Sequence, residues 1–229
     1  MRRLTCFVGL LFVLAAFARA DVIVGTNTFI ANNVYPFGDS YVGEYQQIYT
    51  GAAFAGVETI TGLEFASGSA SGNTGGSHTV TLTIGLSTTS ATVASMSTNY
   101  ASNLGADKAQ VFSGTVTFTP TVNNTFDLSF LFPTAFSYNP GSGNLLLDVN
   151  VTSTSGPDVL FDANLDSVIS RVFNFKGNGA PTFDEGYGLV TDFVTSSSDA
   201  RVPEPSSILL LFTGLLPAAY GLRKRIAKA

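Results

Sequence analysis

Strict alternation of apolar and polar residues is the feature that most restricts the fold of this chain. In residues 78–84, HTVTLTI, threonines separate the valine, leucine and isoleucine side chains. In residues 111–119, Val116 and Phe118 stand between three threonines. Successive side chains of a β-strand point to opposite faces of a sheet, so each run predicts a strand with one buried face.

Similar runs recur along the chain, with glycine, proline, asparagine and serine between them. Many short strands separated by turn residues are typical of a β-sandwich or a jelly roll. The pattern predicts one short helix, over residues 91–104, where apolar side chains share one face. We therefore predict an all-β domain, a β-sandwich or jelly roll, over residues 21–195. The other predicted strands are residues 41–49, 58–65, 125–132, 144–152, 167–175 and 187–194.

The last part of the chain predicts a single transmembrane helix. Residues 208–222 carry no charge, and a basic cluster follows them directly. Basic residues beside a span stay in the cytoplasm, which places everything before the span on the other side of the membrane. The fifteen residues fall short of the about 20 that a span usually needs, so we expect a minimal or transient span. A buried C-terminal helix is the alternative, but it would show polar residues at helical spacing. The span includes Ile208, Leu211, Gly214, Leu215 and Leu222, and the basic cluster is Arg223, Lys224 and Arg225.

A proline-rich motif, Val202, Pro203, Glu204 and Pro205, precedes the span and prevents a helix from continuing into the domain. Pro-Glu-Pro, a short apolar helix and a basic cluster, in this order, resemble the PEP-CTERM sorting signal. The resemblance implies that the chain is a substrate of an exosortase, a membrane cysteine protease of Gram-negative bacteria that removes the tail. It also implies a transient stay in the inner membrane and delivery to the cell surface or the exopolysaccharide matrix of a biofilm. Unlike the family pattern, four residues follow the basic cluster here.

The first 20 residues have the parts of a secretory signal peptide. Two arginines precede an apolar stretch over residues 4–18, and Ala18-Arg19-Ala20 fits a small-x-small cleavage site, after which the mature chain would start at Asp21. The pattern predicts export through the Sec translocon and cleavage by signal peptidase; an uncleaved anchor is the alternative. The single cysteine, Cys6, lies in the segment that would be removed, so the mature protein is expected to have no thiol and no disulfide.

Between these two signals the chain is acidic. Residues 21–201 contain fifteen acidic and four basic residues, a net charge of −11. Such a domain repels phosphate backbones, which argues against nucleic-acid binding. The predicted organisation is a signal peptide (1–20), the ectodomain (21–195), a linker with the Pro-Glu-Pro motif (196–207), the membrane helix (208–222) and a basic cytoplasmic tail (223–229).

The ectodomain itself resembles the choice-of-anchor domains of bacterial surface proteins, type R in particular. The resemblance rests on YQQIY (45–49), ITGLEF (60–65), NLGAD (103–107) and the block 138–149, with YNP and NLLLDV at its ends. It implies a surface β-domain that appears with interchangeable anchoring signals. It brings no catalytic residues, because the matching motifs are mainly structural.

The residues for nucleophilic catalysis are scarce. His78 is the only histidine, and we expect it to be exposed at the head of a strand. The chain has no Gly-x-Ser-x-Gly elbow, and one histidine without a mature cysteine does not suit a zinc site. We therefore predict that the protein is not an enzyme.

Asp162, Asn164 and Asp166 alternate as the first oxygen ligands of calcium loops do. The glycine and the later glutamate of an EF-hand loop are missing. The three residues are candidate calcium ligands, and a polar turn between strands is the alternative. Further oxygen ligands from other loops would be Asp158, Asp184 and Glu185.

Aromatic platforms are the other candidate binding feature, and the chain has no tryptophan. Tyr41, Tyr45 and Tyr49 are spaced four residues apart and share one face of a predicted strand, which is either core or a binding surface. Tyr35 and Tyr138 are also available. Three phenylalanines at alternating positions are expected to be core: Phe126, Phe130 and Phe132.

Three functional hypotheses follow from these features. The first is an exported, C-terminally sorted, non-catalytic protein of the cell surface or extracellular matrix, associated with exopolysaccharide. The alternative is a glycan-binding, lectin-like module that uses tyrosines and calcium. The third is a hydrolase, against which the single histidine already weighs.

Overall fold

The computed structural model of the chain describes residues 21–26, 31–40, 42–67, 76–120, 125–174 and 180–196. Over these ranges the protein is all-β, as the alternation predicts. The predicted signal peptide, membrane helix and basic tail lie outside the described residues. Within the described ranges, no helix has the length and hydrophobicity of a membrane span.

Three antiparallel sheets are formed by thirteen strands in the described part of the chain. The strands are β1 (Val22–Val24), β2 (Ala31–Asn33), β3 (Gly43–Tyr49), β4 (Glu58–Ala66), β5 (His78–Thr89), β6 (Ala109–Phe118), β7 (Phe126–Tyr138), β8 (Asn144–Ser155), β9 (Phe161–Leu165), β10 (Ile169–Asn174), β11 (Thr182–Asp184), β12 (Tyr187–Leu189) and β13 (Thr191–Ser196). The strand orders in the three sheets are β1-β13-β4-β7, β11-β10-β3-β8-β5-β6 and β12-β9-β2. Three short 3-10 helices are Gly51–Ala53, Tyr100–Asn103 and Pro140–Ser142.

The four-stranded and six-stranded sheets face each other across one apolar core, which makes the fold β-sandwich-like. Rings from opposite sheets meet inside it. Tyr49 of β3 lies 4.8 Å from Phe193 of β13 between ring centres. Phe112 of β6 lies 5.3 Å from Phe130 of β7. Edge-to-face pairs of this kind add to the free energy gained by burying the rings.

The alternation that predicts β5 and β6 is confirmed by burial. On β5 the valine, leucine and isoleucine side chains at 80, 82 and 84 are buried in the core. On β6, Phe118 is buried while Thr115 and Thr117 are exposed on the opposite face. Each strand therefore has one face in the core and one face on the surface, as period-two patterning requires.

Several strand bounds differ from the predicted ones. The predicted strand over residues 187–194 is two strands in different sheets, because β12 pairs with β9 while β13 pairs with β1 and β4. The strand predicted over 125–132 continues through Pro133 to Tyr138. At Pro133 the pairing with β4 is interrupted, because Gly62 faces Leu131 but Ile60 faces Phe136. The proline has no N–H to donate, and it lies where no ladder hydrogen bond is needed.

The predicted helix over residues 91–104 is wrong. This segment is irregular except for the 3-10 turn Tyr100–Asn103. Its polar side chains bond the backbone in place of helical hydrogen bonds: the Asn103 amide donates to Ser97 O at 2.8 Å, and Ser97 N donates to Asn103 Oδ1 at 2.8 Å. Serine, threonine and asparagine compete with a helix in this way.

A turn between β2 and β3 closes part of the core. Phe37 of this turn is fully buried, with its ring centre 4.6 Å from that of Phe65 and 5.2 Å from that of Phe130. The adjacent Gly38 lies against the backbone of Val159, whose N–H donates to Gly38 O at 2.9 Å. A Cβ at Gly38 would stand 2.0 Å from Val159 O, so only glycine fits this approach.

Candidate functional site

The outer face of the six-stranded sheet is the candidate functional surface. At one end, a crossing segment (residues 90–108) covers the sheet. At the other end, hydroxyl side chains on β5 and β6 and directly beside them form three successive rows at the surface, which we call the hydroxyl face. Its members are Ser77, Thr79 and Thr81 on one side and Thr115, Thr117 and Thr119 on the other. Thr79 and Thr81 are half-buried, and the other four are exposed.

Each row of the hydroxyl face is a hydrogen-bonded pair across the two strands. The hydroxyl oxygens of Thr79 and Thr117 are 2.8 Å apart, as are those of Thr81 and Thr115. Ser77 and Thr119 continue the array at 2.9 Å. Thr–Thr pairs at opposed positions stabilise a sheet, and here they leave an uncharged surface that both donates and accepts hydrogen bonds.

The crossing segment is held over the sheet by a small apolar cluster and by polar contacts. The cluster contains Ile48, Met96, Leu146 and Val172. Around it, Asn103 Nδ2 donates to Gln46 Oε1 at 2.9 Å. This end of the outer face is therefore a second small core.

Three charged side chains lie at the border between the crossing segment and the hydroxyl face. Lys108 Nζ is 2.8 Å from Asp148 Oδ2, and Gln46 Nε2 donates to Asp148 Oδ1 at 3.1 Å. Burial raises the pKa of the Glu44 carboxyl, and the negative charge of Asp148 raises it further, while Lys108 lowers it. The border thus combines carboxylates with one cation beside an uncharged surface.

The tyrosines considered as binding platforms are largely core. Tyr45, Tyr49 and Tyr138 are fully buried. Tyr35 is half-buried and packs its ring 5.0 Å from that of Phe173. Tyr41 lies outside the described residues. The shared face of Tyr45 and Tyr49 is therefore the core face, which settles the choice that the spacing left open.

The phenylalanines expected in the core follow the prediction in part. Phe130 is buried, and Phe132 is half-buried against the same core. Phe126, at the start of β7, is half-buried.

Buried polar atoms between the sheets are joined through Gln47. Its Nε2 donates to Leu189 O at 2.8 Å, and its Oε1 accepts from Leu189 N at 2.8 Å and from the Tyr45 hydroxyl. The hydroxyl oxygens of Tyr49 and Thr191 are 2.8 Å apart beside it. Satisfied buried networks of this kind specify one packing arrangement, because leaving a member unpaired is costly.

Arg171 is a nearly buried cation that joins distant parts of the chain. Its guanidinium donates through Nε to Asp184 Oδ2 at 2.9 Å and through Nη1 to Asn33 Oδ1 at 2.6 Å. Its guanidinium carbon lies 4.7 Å from the ring centre of Phe173 and 4.5 Å from that of Tyr187. Hydrogen bonds from several nitrogens and stacking between rings are what a planar guanidinium offers. These contacts connect β10 with β11, β2 and β12.

His78 is buried, so the prediction of an exposed strand-end histidine is wrong. Its Nδ1 lies 2.8 Å from Pro157 O, and a carbonyl only accepts, so Nδ1 carries the proton. Its ring packs 5.6 Å from that of Phe118. The turn after β8 covers the first residue of β5, and the sequence of β5 alone does not predict this contact.

The candidate calcium ligands lie along β9 and just beyond it. Asp162 is fully buried, and Asn164 donates through Nδ2 to Thr26 O. Asp166 caps the following turn, because its Oδ1 accepts from Val168 N at 3.1 Å. Among the described residues, no three His, Cys, Asp or Glu side chains are grouped so as to hold a metal ion. Of the further candidates, Asp184 is bound to Arg171, while Asp158 and Glu185 are exposed.

The residues of the predicted sorting signal lie outside the described residues. They are the motif Val202, Pro203, Glu204 and Pro205, the apolar positions Ile208, Leu211, Gly214, Leu215 and Leu222, and the basic cluster Arg223, Lys224 and Arg225. Their role stays a prediction.

Comparison with known proteins adds no family to this description. No protein-family model, no curated protein and no solved structure matches the chain. What is established is the class: an all-β, β-sandwich-like domain with a hydroxyl-rich outer face.

Proposed function

We propose that the chain is an exported, C-terminally sorted, non-catalytic protein of the cell surface or extracellular matrix of a Gram-negative-type bacterium, associated with exopolysaccharide or biofilm. The observation that carries the proposal is the order of Pro-Glu-Pro, uncharged run and basic cluster over residues 202–225. The resemblance of this order to a PEP-CTERM signal makes an exosortase the partner. The signal-peptide pattern of residues 1–20 supports the same route.

The boundaries of the described domain are compatible with this route. The last described strand, β13, ends at Ser196, where the predicted linker over 196–207 begins. In this proposal the sandwich is a jelly-roll-like, choice-of-anchor ectodomain. The Sec translocon exports it, signal peptidase cuts after Ala20, and residues 208–222 hold it briefly in the inner membrane. The exosortase then cuts near Pro-Glu-Pro and releases it.

The test is the intact mass of the protein recovered from the medium and the outer surface, in cells with and without the sorting protease. We expect a chain that begins at Asp21 and that lacks residues 208–229 only when the protease is present. A Pro203→Ala, Pro205→Ala double variant should keep its tail in both strains. A tail retained whether or not the protease is present would contradict sorting and would make residues 208–222 a permanent anchor.

Glycan binding is the second candidate function, and the hydroxyl face is the observation that favours it. An uncharged array of threonine hydroxyls can exchange hydrogen bonds with a neutral polysaccharide, whereas an acidic domain with a net charge of −11 over residues 21–201 would repel a polyanion.

Retention of the protein on an insoluble neutral polysaccharide tests this second candidate. We expect a Thr81→Val, Thr115→Val variant to lose most of its binding, because the isosteric change removes hydroxyls and little volume. A Ser137→Ala variant, changed at an exposed position of β7, should bind as the parent does. Loss of binding in a chelator would assign calcium, with Asp162, Asn164 and Asp166 as the candidate ligands. If the Thr81→Val, Thr115→Val variant and the Ser137→Ala variant are retained equally, the hydroxyl face is not the binding site.

A further inference from the structure

The edges of the three sheets are protected to different degrees. Four of the six edge strands, β1, β2, β11 and β12, have only three residues each. The fifth, β7, contains Pro133 and a break in its pairing with β4. Short strands and prolines are the usual means of preventing a sheet edge from pairing with another chain.

The remaining edge strand, β6, has neither protection. It is ten residues long, contains no proline and no charged residue, and pairs only with β5 among the described strands. A bulge opposite Ile84 and Gly85 interrupts it near its start. Residues 112–118 are therefore a regular strand whose outward-directed N–H and C=O groups can pair with a further strand.

The sequence of this strand is complementary to itself in the antiparallel direction. With a two-fold axis at Thr115, Thr117 faces Ser113 of a second copy on the outer face, and Thr115 faces its own equivalent. On the inner face, Val116 faces Gly114, so that a large side chain meets a small one. The hydroxyl pairs so formed repeat those that β6 already makes with β5, at 2.8 Å.

We propose that two copies of this protein pair through β6, antiparallel and centred on Thr115, to form a sheet that continues from one copy into the other. The absence of charge on β6 is what permits two strongly acidic domains to approach at this edge. Mutual repulsion of the two domains still opposes pairing, so the dimer strengthens as salt is added. The contact is isologous and uses up the edge of both copies, so it closes at two and makes no fibre.

The sharpest test is a self-crosslink. Opposed residues of antiparallel strands have Cα atoms about 4.5–5.5 Å apart, within the about 4.4–6.8 Å that a disulfide spans. Two copies of a Thr115→Cys variant, made in the full chain with Cys6→Ser, should crosslink on mild oxidation. Thr81→Cys is the matched control, since Thr81 is the hydrogen-bond partner of Thr115 but lies one strand inside the edge. It should give at least about 10-fold less crosslink.

Sedimentation velocity measures the same contact without crosslinking. A mild detergent is added so that the apolar residues 208–222 do not themselves cause association. The interface of one strand is small, and small interfaces are weak, so about 0.1 mM protein is used. We expect a dimer that is lost in Thr115→Lys, kept in Thr81→Lys, and stronger at high salt. A parent protein that is monomeric under these conditions, or equal crosslinking of the two cysteine variants, would overturn the proposal. So would a dimer that Thr115→Lys leaves unchanged.

Discussion

Raising the pH from about 9 to about 12 should remove several kcal/mol from the free energy of unfolding, because the core contains tyrosines that ionise only when it opens. Burial raises the pKa of Tyr45 to about 12, although Arg171 lowers it somewhat. Burial also raises the pKa of Tyr49 well above its usual value.

An unfolded tyrosine ionises near pH ~10. Above that pH the unfolded chain releases protons that the folded chain retains, so stability is full below pH ~10 and falls as the pH rises. Tyr45 alone should account for about 2 kcal/mol by pH ~12.

Denaturant unfolding at a series of pH values measures this loss. A Tyr49→Phe variant is the control, since it has one ionisable group fewer in the core and should lose stability less steeply over the same window. Its stability at neutral pH is expected to be lower, because the contact with Thr191 is gone. If the parent and the variant show the same slope, Tyr49 does not contribute to the alkaline loss.

Replacing Phe37 by alanine should lower the free energy of unfolding by about 4 kcal/mol. The ring is fully buried and contacts three other rings, those of Phe65, Phe130 and Phe161. Because strands of the four-stranded and three-stranded sheets and a turn meet there, the structure cannot collapse easily into the space that the ring leaves, and a cavity remains.

The matched control for Phe37→Ala is Leu131→Ala, because Leu131 is 66% exposed on β7. It should cost no more than about 0.5 kcal/mol. Phe37→Leu fills more of the space and should cost about half as much as the alanine change, which keeps the comparison measurable if the alanine variant does not fold. Thermal or urea unfolding gives all three values. Similar costs at Phe37 and Leu131 would contradict the packing of this turn.

Long alternating runs made most of the fold predictable. The twelve residues of β5 and the ten of β6 contain enough periods for the pattern to identify both the strand and its buried face. Strands of three residues, such as β2 and β11, hold barely one period and were not predicted. Their positions depend on distant pairing, with β11 set beside β10 by partners such as Arg171 and Asp184.

The long-range contacts of polar side chains were harder to predict for the same reason. Arg171 meets Asn33 and Asp184, which lie far from each other in the chain, and nothing near Arg171 indicates this contact. His78 is buried by a turn that follows β8. The threonines of β5 and β6 could be assigned to an outer face from alternation, but the pairing of Thr81 with Thr115 depends on strand register, which alternation leaves undetermined.

The pairing of the first described strand with the last has a consequence for the timing of folding. Strand β1 is bonded to β13, and β13 also pairs with β4, so the four-stranded sheet lacks a central member until residues 191–196 have been synthesised. Contacts of such large sequence separation form slowly. Most of the domain would therefore be made before its fold can close, and under the proposed export route such an open chain could still pass through a translocation pore.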